Sequence, residues 1–533
     1  MGQRVFVLGI DGLCEPVWKR LVAQGLAPSL TRLVGHLRSL QSTTPAHSAP
    51  AWTSIATGLN PGRHGVLDFW QRTSNLPASW RARPLVTRSN QPFFWEIASR
   101  QGASVGIFNY PLSYPPRPVP GYWVCGLNTP ARVTDFVLPR KLAEQLSDFQ
   151  VDLDVVGLTH PHKGRPSPAE RRKALRDITA LARNHFQAGA KTIAATIDQN
   201  IQLYAHVITA TDRLLHLFWD VMSDPHDPLW EGVAEFWAVI DRGVHHWLDL
   251  AQPDAILLVS DHGFSPGARM AFNASLWLES LSIAPSLNSS RRPLLAHRIS
   301  RFPQLKAMLK RLLPTRNLSA IRTGLEADSL SFYALHSPVI PEVLYGPVLG
   351  VTLNVRGRQP NGMLSPQQAE DLIARLIAEA ISLRDGQGAP IFRSAKRAID
   401  IWWGEYLAFF PDVVLELQAP YGGAVGSADH RLLIPALGAR TGDHHETGIL
   451  GSNQPLPVAA EEQMAVWDIA GLALYLAGIE APATLDSCLP GRVQHETPQS
   501  PLAARHIDLQ AGHFSDTEAA LIENRLRQLG YVE

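Results

Sequence analysis

Arg4-Val5-Phe6-Val7-Leu8-Gly9-Ile10-Asp11-Gly12 is an apolar run of strand length that closes on an acid and a glycine. It is too short for the apolar core of a secretory signal and carries a carboxylate at its end, so it reads as a buried strand. The same design returns far downstream in Ala255-Ile256-Leu257-Leu258-Val259-Ser260-Asp261-His262-Gly263. Short apolar or β-branched runs at 104–109, 201–208, 348–355 and 412–417 complete the set of strand candidates. Helical patterns fall between them at 28–37, 51–57, 92–100, 168–193, 230–250, 366–381, 466–477 and 516–529. Strands that are apolar throughout and separated by helices predict an α/β fold, a mostly parallel central sheet with helices on both faces. In such sheets chemistry collects at the carboxyl ends of the strands.

The composition narrows the function classes. The chain has 533 residues, 45% of them hydrophobic, enough for a large core. Lys+Arg and Asp+Glu are both 48, so no global charge points to nucleic acid. The three cysteines, Cys14, Cys125 and Cys488, are far apart, which argues against a disulfide framework or a cysteine-zinc site and fits a reducing compartment. No window approaches the roughly 18 apolar residues of a membrane span, and a cytoplasmic location is expected. The expected core covers 1–130, 201–272 and 347–533, with a helical insertion at 131–200 and a basic cap insertion at 273–346. Between Glu279 and Glu326 the cap holds no acid but carries Arg291, Arg292, Arg298, Arg301, Lys306, Lys310, Arg311, Arg316 and Arg322. This 291–322 segment suits peripheral contact with an anionic membrane, yet a cap helix with solvated arginines is the favoured reading.

Five segments carry candidate chemistry. Asp11 at its strand end is placed to bind a metal, although such an acid more often forms a turn or caps a helix. In Thr43-Thr44-Pro45-Ala46-His47-Ser48-Ala49-Pro50-Ala51-Trp52, Pro50 favours a helical first turn and puts the Ser48 hydroxyl at a helix N-terminus. There it suits a nucleophile, or simply a helix cap, and capping is the commoner role. His47 and Trp52 border this segment as candidate substrate-pocket residues, with core packing an equal alternative for Trp52. In Thr211-Asp212-Arg213-Leu214-Leu215-His216, Asp212 and His216 stand one helical turn apart and are able to aim at one ion. The Asp261-His262-Gly263 tip offers adjacent ligands, and His444 is expected in a polar, glycine-bounded loop, Thr441-Gly442-Asp443-His444-His445. Singly these are common surface patterns. Jointly, Asp11, Ser48, Asp261 and His262 predict one divalent metal site, and Asp212, His216 and His444 a second. The mix of carboxylate and imidazole suits zinc best and also manganese. His64 reads as structural, and Cys14 as a buried small residue.

The order Asp-Gly, nucleophile segment, Thr57-Gly58-Leu59-Asn60-Pro61-Gly62-Arg63-His64-Gly65, Asp-x-x-x-His, Asp-His-Gly and a late Gly-x-His resembles the alkaline phosphatase superfamily. It is most similar to the type I phosphodiesterase/nucleotide pyrophosphatase branch and its bacterial phosphohydrolase or phosphomutase members. The likeness extends to Asn273-Ala274-Ser275-Leu276-Trp277-Leu278, Asn354-Val355-Arg356-Gly357-Arg358 and the closing Leu529-Gly530-Tyr531. The resemblance implies an alkaline-phosphatase-like fold and places Asp11, Ser48, Asp212, His216, Asp261, His262 and His444 at the nucleophile and metal positions. It also implies hydrolysis of a small-molecule phosphate ester on two metals, with phosphotransfer or a non-catalytic binding role as alternatives. Serine replaces the branch's threonine. Phe69 stands where the branch has a phosphate-binding asparagine, which weakens the case for a nucleotide substrate. Trp52 occupies the place of the arginine that sulfatases require, which disfavours sulfate esters.

Overall fold

Val5–Ile10 is buried along its whole length and lies at the centre of a nine-stranded sheet. The computed structural model describes residues 2–70, 91–130, 135–153, 166–285, 332–426, 429–436, 440–459, 461–487 and 522. Across the sheet the order is Met464–Ala465, His36–Gln41, Thr447–Ser452, Ala255–Val259, Val5–Ile10, Leu203–Ile208, Val105–Tyr110, Gly121–Cys125 and Val137–Leu138. The run from Ala255–Val259 to Gly121–Cys125 is parallel throughout. Thr447–Ser452 enters antiparallel to both of its neighbours.

Strand alternation explains the two layers around this sheet. Phe6, Leu8 and Ile10 pack on one face against the helices Pro168–Ala195, Ala210–Met222 and Trp230–Ala251. Val5 and Val7 pack on the other against Ser48–Thr57, Phe94–Arg100 and Asp468–Leu476. The architecture is the mostly parallel α/β sheet that the apolar strands imply.

Three stretches depart from the sequence expectation. The runs at 348–355 and 412–417 do not join the parallel sheet. Val348–Leu353 and Val413–Leu417 belong instead to a separate antiparallel sheet with Val339–Tyr345 and Phe392–Arg397. Tyr345 pairs with Val348 across a tight turn at Gly346, whose φ is +50°. Strands joined so closely are able to pair only antiparallel, because a parallel pair needs a crossover of a dozen or more residues. The helix expected at 28–37 stops at Leu33, and His36–Gln41 forms a strand paired with Thr447–Ser452. Pairing with a partner about 400 residues away outweighs local preference there. The basic 291–322 segment and, apart from Ile522, the helix expected at 516–529 lie outside the described residues. No helix among the described residues is long and apolar enough to cross a membrane.

Candidate active site

Parallel strands bring their carboxyl ends to one edge, and five chain segments meet there. Asp11 directly follows Val5–Ile10, and Asp261 and His262 follow Ala255–Val259. Asp212 lies in the first turn of Ala210–Met222, the helix that leaves Leu203–Ile208, with His216 one turn on. Ser48 opens the helix that follows His36–Gln41. His444 precedes the antiparallel strand Thr447–Ser452, which begins at this same edge. It is part of a strand, not a loop: Gly442–His445 pairs with Gly263–Pro266, setting His444 opposite Phe264. Glycine matters at two of these places. Gly12 has φ +75°, and a side chain there would strike Phe264; a side chain on Gly442 would strike the carbonyl of Leu215 on the helix that bears His216.

The capping role considered for Ser48 does not hold. His47 occupies the cap position, and Ser48 is the first helical residue. Its fully buried hydroxyl lies 3.2 Å from His262 Nε2 instead.

Each of three carboxylates has one oxygen tied to the protein and the other turned inward. Trp52 Nε1 donates to Asp11 Oδ2 at 3.1 Å, the Gly12 N–H to Asp261 Oδ1 at 3.2 Å, and Arg213 to Asp212 Oδ2 at 2.7 Å. Asp11 Oδ1 and Asp261 Oδ2 are buried and have no hydrogen-bond partner among the described residues. The three imidazoles follow the same plan. Nδ1 of His216 lies 3.0 Å from Gly442 O, Nδ1 of His262 3.1 Å from Gly263 O, and Nδ1 of His444 3.0 Å from Ala46 O. A carbonyl only accepts, so each Nδ1 carries the proton and each Nε2 presents a lone pair.

Those lone pairs converge. His444 Nε2 is 3.0 Å from Asp212 Oδ1 and 3.0 Å from His216 Nε2, and His216 Nε2 is 3.3 Å from Asp212 Oδ1. His262 Nε2 is 3.2 Å from Asp261 Oδ2 and 3.5 Å from Asp11 Oδ1. Acceptors facing acceptors at such separations repel unless a cation lies between them. Ligand atoms about 2 Å from a common tetrahedral ion sit about 3.3 Å apart, which these spacings fit. The His262 and His444 rings stack at 3.6 Å, so the two groups form one continuous site.

The electrostatics of the cluster say the same. Burial, with the charges of Asp261 and Asp212, pushes the Asp11 carboxyl well above the usual range, and burial with Asp212 pushes Asp261 up to about 8. Burial also tends to raise Asp212, but His216, His444 and Arg213 outweigh it and hold this carboxyl well below the usual range. Burial holds the imidazoles of His216 and His262 below their ordinary value, which keeps them neutral and able to ligate.

The remaining expected residues are also located. His47 is buried beside the cluster, its ring 5.0 Å from Phe69 and 6.2 Å from His444. Trp52 lies fully buried, and its indole N–H bonds to Asp11. His64 bonds to Ser54 and receives the Val66 N–H, a buried neutral brace whose pKa burial lowers to about 3. Cys14 is buried and bonds to the Phe264 carbonyl. Sequence reading missed Arg213, which links Asp212 to Asp152, each at 2.7 Å, and Tyr345, which reaches His444. Arg213 had a signal in its place beside Asp212. Tyr345 had none.

A mostly parallel sheet thus carries a buried serine hydroxyl and two carboxylate–imidazole clusters at its carboxyl edge. The chain belongs to the type I phosphodiesterase / nucleotide pyrophosphatase family, whose pattern matches residues 5–305, and so to the hydrolases acting on phosphoric ester bonds. No curated protein matches the chain. Among solved structures, phosphonoacetate hydrolase from Sinorhizobium meliloti 1021 in complex with phosphonoformate is similar, with TM-score 0.53, 17% identity, and coverage of 89% of this chain and 96% of that one. The same enzyme in complex with phosphonoacetate gives TM-score 0.51 at 15% identity over the same shares. At this identity the likeness speaks for the fold.

Proposed function

We propose that this chain hydrolyses a small-molecule phosphoric ester through a phosphoseryl intermediate, with Ser48 as nucleophile and two divalent cations, zinc before manganese, as cofactors. Asp11, Asp261 and His262 with the Ser48 hydroxyl would hold one cation, and Asp212, His216 and His444 the other. The observation that carries this reading is the shared plan of six side chains, each with one atom tied back to the protein and one directed at a centre beside Ser48. Bound cations lower the pKa of a hydroxyl nucleophile and neutralise charge on the attacking and leaving oxygens.

Ser48 Oγ bonds to phosphorus as the bond from phosphorus to the alcohol oxygen breaks, in line and on the opposite side. The alcohol departs with a proton. Water then attacks the phosphoserine from the vacated side, releasing phosphate and restoring the hydroxyl. Trp52, the Gly12 N–H and Arg213 keep the three carboxylates aimed throughout.

A panel of nitrophenyl phosphate mono- and diesters, with a phosphonate included, tests this before and after chelation and after return of zinc or manganese. The expected result is ester hydrolysis that chelation abolishes and metal restores. Hydrolysis indifferent to chelation, or full activity in Ser48→Ala, would overturn it. Phosphate appearing on added alcohols would shift the reading to phosphotransfer at the same serine.

A further inference from the structure

Tyr345 ends the strand Val339–Tyr345 of the smaller sheet, outside every segment that supplies the cluster. Its ring lies 4.3 Å from that of His47 and 4.6 Å from that of His444. Its hydroxyl is 3.3 Å from His444 Nε2 and receives an N–H from Arg440 at 3.1 Å. Because Arg440 donates to Oη, the Tyr345 O–H points elsewhere, and His444 Nε2 is an acceptor within its reach.

We propose that Tyr345, backed by Arg440, is a hydrogen-bond donor to the leaving-group oxygen of the ester, so that this pair decides how poor a leaving alcohol the enzyme expels. The inference rests on the phosphoseryl reading. Ser48 stands against His262, on the Asp11/Asp261 half. In-line displacement therefore sends the departing oxygen toward the Asp212/His216/His444 half, where the Tyr345 hydroxyl lies. Once the His444 lone pair is used in ligation, the Tyr345 O–H needs another acceptor, and an oxygen gathering negative charge is the strongest available. The guanidinium behind it makes the hydroxyl a better donor. A cleft of about 200 Å³ begins at Tyr345 and His444 and continues between Thr43, Val348, Glu416 and Tyr421, leaving room for the organic part of the alcohol.

The experiment compares wild type with Tyr345→Phe on zinc-loaded protein, using phosphate esters graded from nitrophenol to simple alkanols. In Tyr345→Phe, kcat/KM for alkyl esters should fall about 10–100-fold, while nitrophenyl esters, whose leaving oxygen carries little charge, should change less than about 3-fold. Arg440→Gln should show the same graded pattern more weakly. Zinc content should be unchanged, and orthovanadate, with an apical oxygen where the alcohol departs, should bind about 10-fold more weakly by calorimetry. An equal loss across the series, or unchanged vanadate affinity, overturns the role given to Tyr345 and leaves the ester-hydrolase reading standing. A wild type that cleaves no ester overturns that reading, and the vanadate comparison still decides whether Tyr345 serves a phosphoryl oxygen.

Discussion

The two halves of the site are built from the same residue types and balanced in opposite ways. Around Asp212 the protein supplies its own positive charge: Arg213, with a side chain only 8% exposed, bridges Asp212 and the fully buried Asp152. Around Ser48, two buried carboxylates, Asp11 and Asp261, face His262 with inward oxygens that have no hydrogen-bond partner among the described residues. The Asp212 carboxyl is accordingly held low, while those of Asp11 and Asp261 are pushed up. One half is preorganised by a buried ion network. The other presents inward carboxylate oxygens that a bound cation would satisfy, so that binding and local order would be coupled there.

Removing the proposed nucleophile is the largest break in this comparison. Ser48→Ala should lower turnover by more than about 10⁴-fold while metal analysis still finds both ions, since all six proposed carboxylate and imidazole ligands remain and His262 keeps its contacts with Asp11 and Asp261. Loss of both ions in that variant would mean that Ser48 holds the site together and does no chemistry of its own.

Next in size is the preorganised half. Arg213→Met leaves Asp152 and Asp212 without the guanidinium between them, a loss that costs about 3–5 kcal/mol when a buried pair is broken. The expected result is a lower denaturant midpoint together with about 10–100-fold weaker binding of one zinc, the other remaining tight. Equal weakening of both ions would show that the halves are not separately organised.

The smallest effect concerns the half around Ser48. A carboxyl whose folded pKa is raised stabilises the fold while it is protonated. For Asp261 that contribution is complete below the ordinary value of 3.8 and drains away as pH rises through about 8. Chelated protein should therefore melt lower at pH 9 than at pH 6, by at least about 3 °C. Zinc-loaded protein and chelated Asp261→Asn should both show a flatter profile by calorimetry. The same slope in the asparagine variant would assign the pH dependence to another group.

Much of the fold could be read locally. Val5–Ile10, Leu203–Ile208 and Ala255–Val259 stand within two residues of the runs expected from apolar character, because a strand buried on both faces must be apolar throughout. The acids and imidazoles after those strands were legible for a related reason. A charged residue at the end of a buried run lies at the sheet edge, whichever strands pair beside it. Strands of mixed composition, His36–Gln41 and Thr447–Ser452, carried no such mark, and partners from distant parts of the chain decided them.

What the amino-acid order determined by itself was therefore the tips of the central apolar strands and the residues that follow them, Asp11, Asp212, Asp261 and His262. Tertiary structure alone decided which atom of each residue faces the centre. That choice depends on hydrogen bonds spanning much of the chain, such as the Gly12 N–H on Asp261 or His444 on the carbonyl of Ala46. It decided, too, that Trp52 steadies Asp11 and that Tyr345 crosses from another sheet to reach His444. Local periodicity records where a side chain is buried; its aim is set by whatever the rest of the chain packs against it.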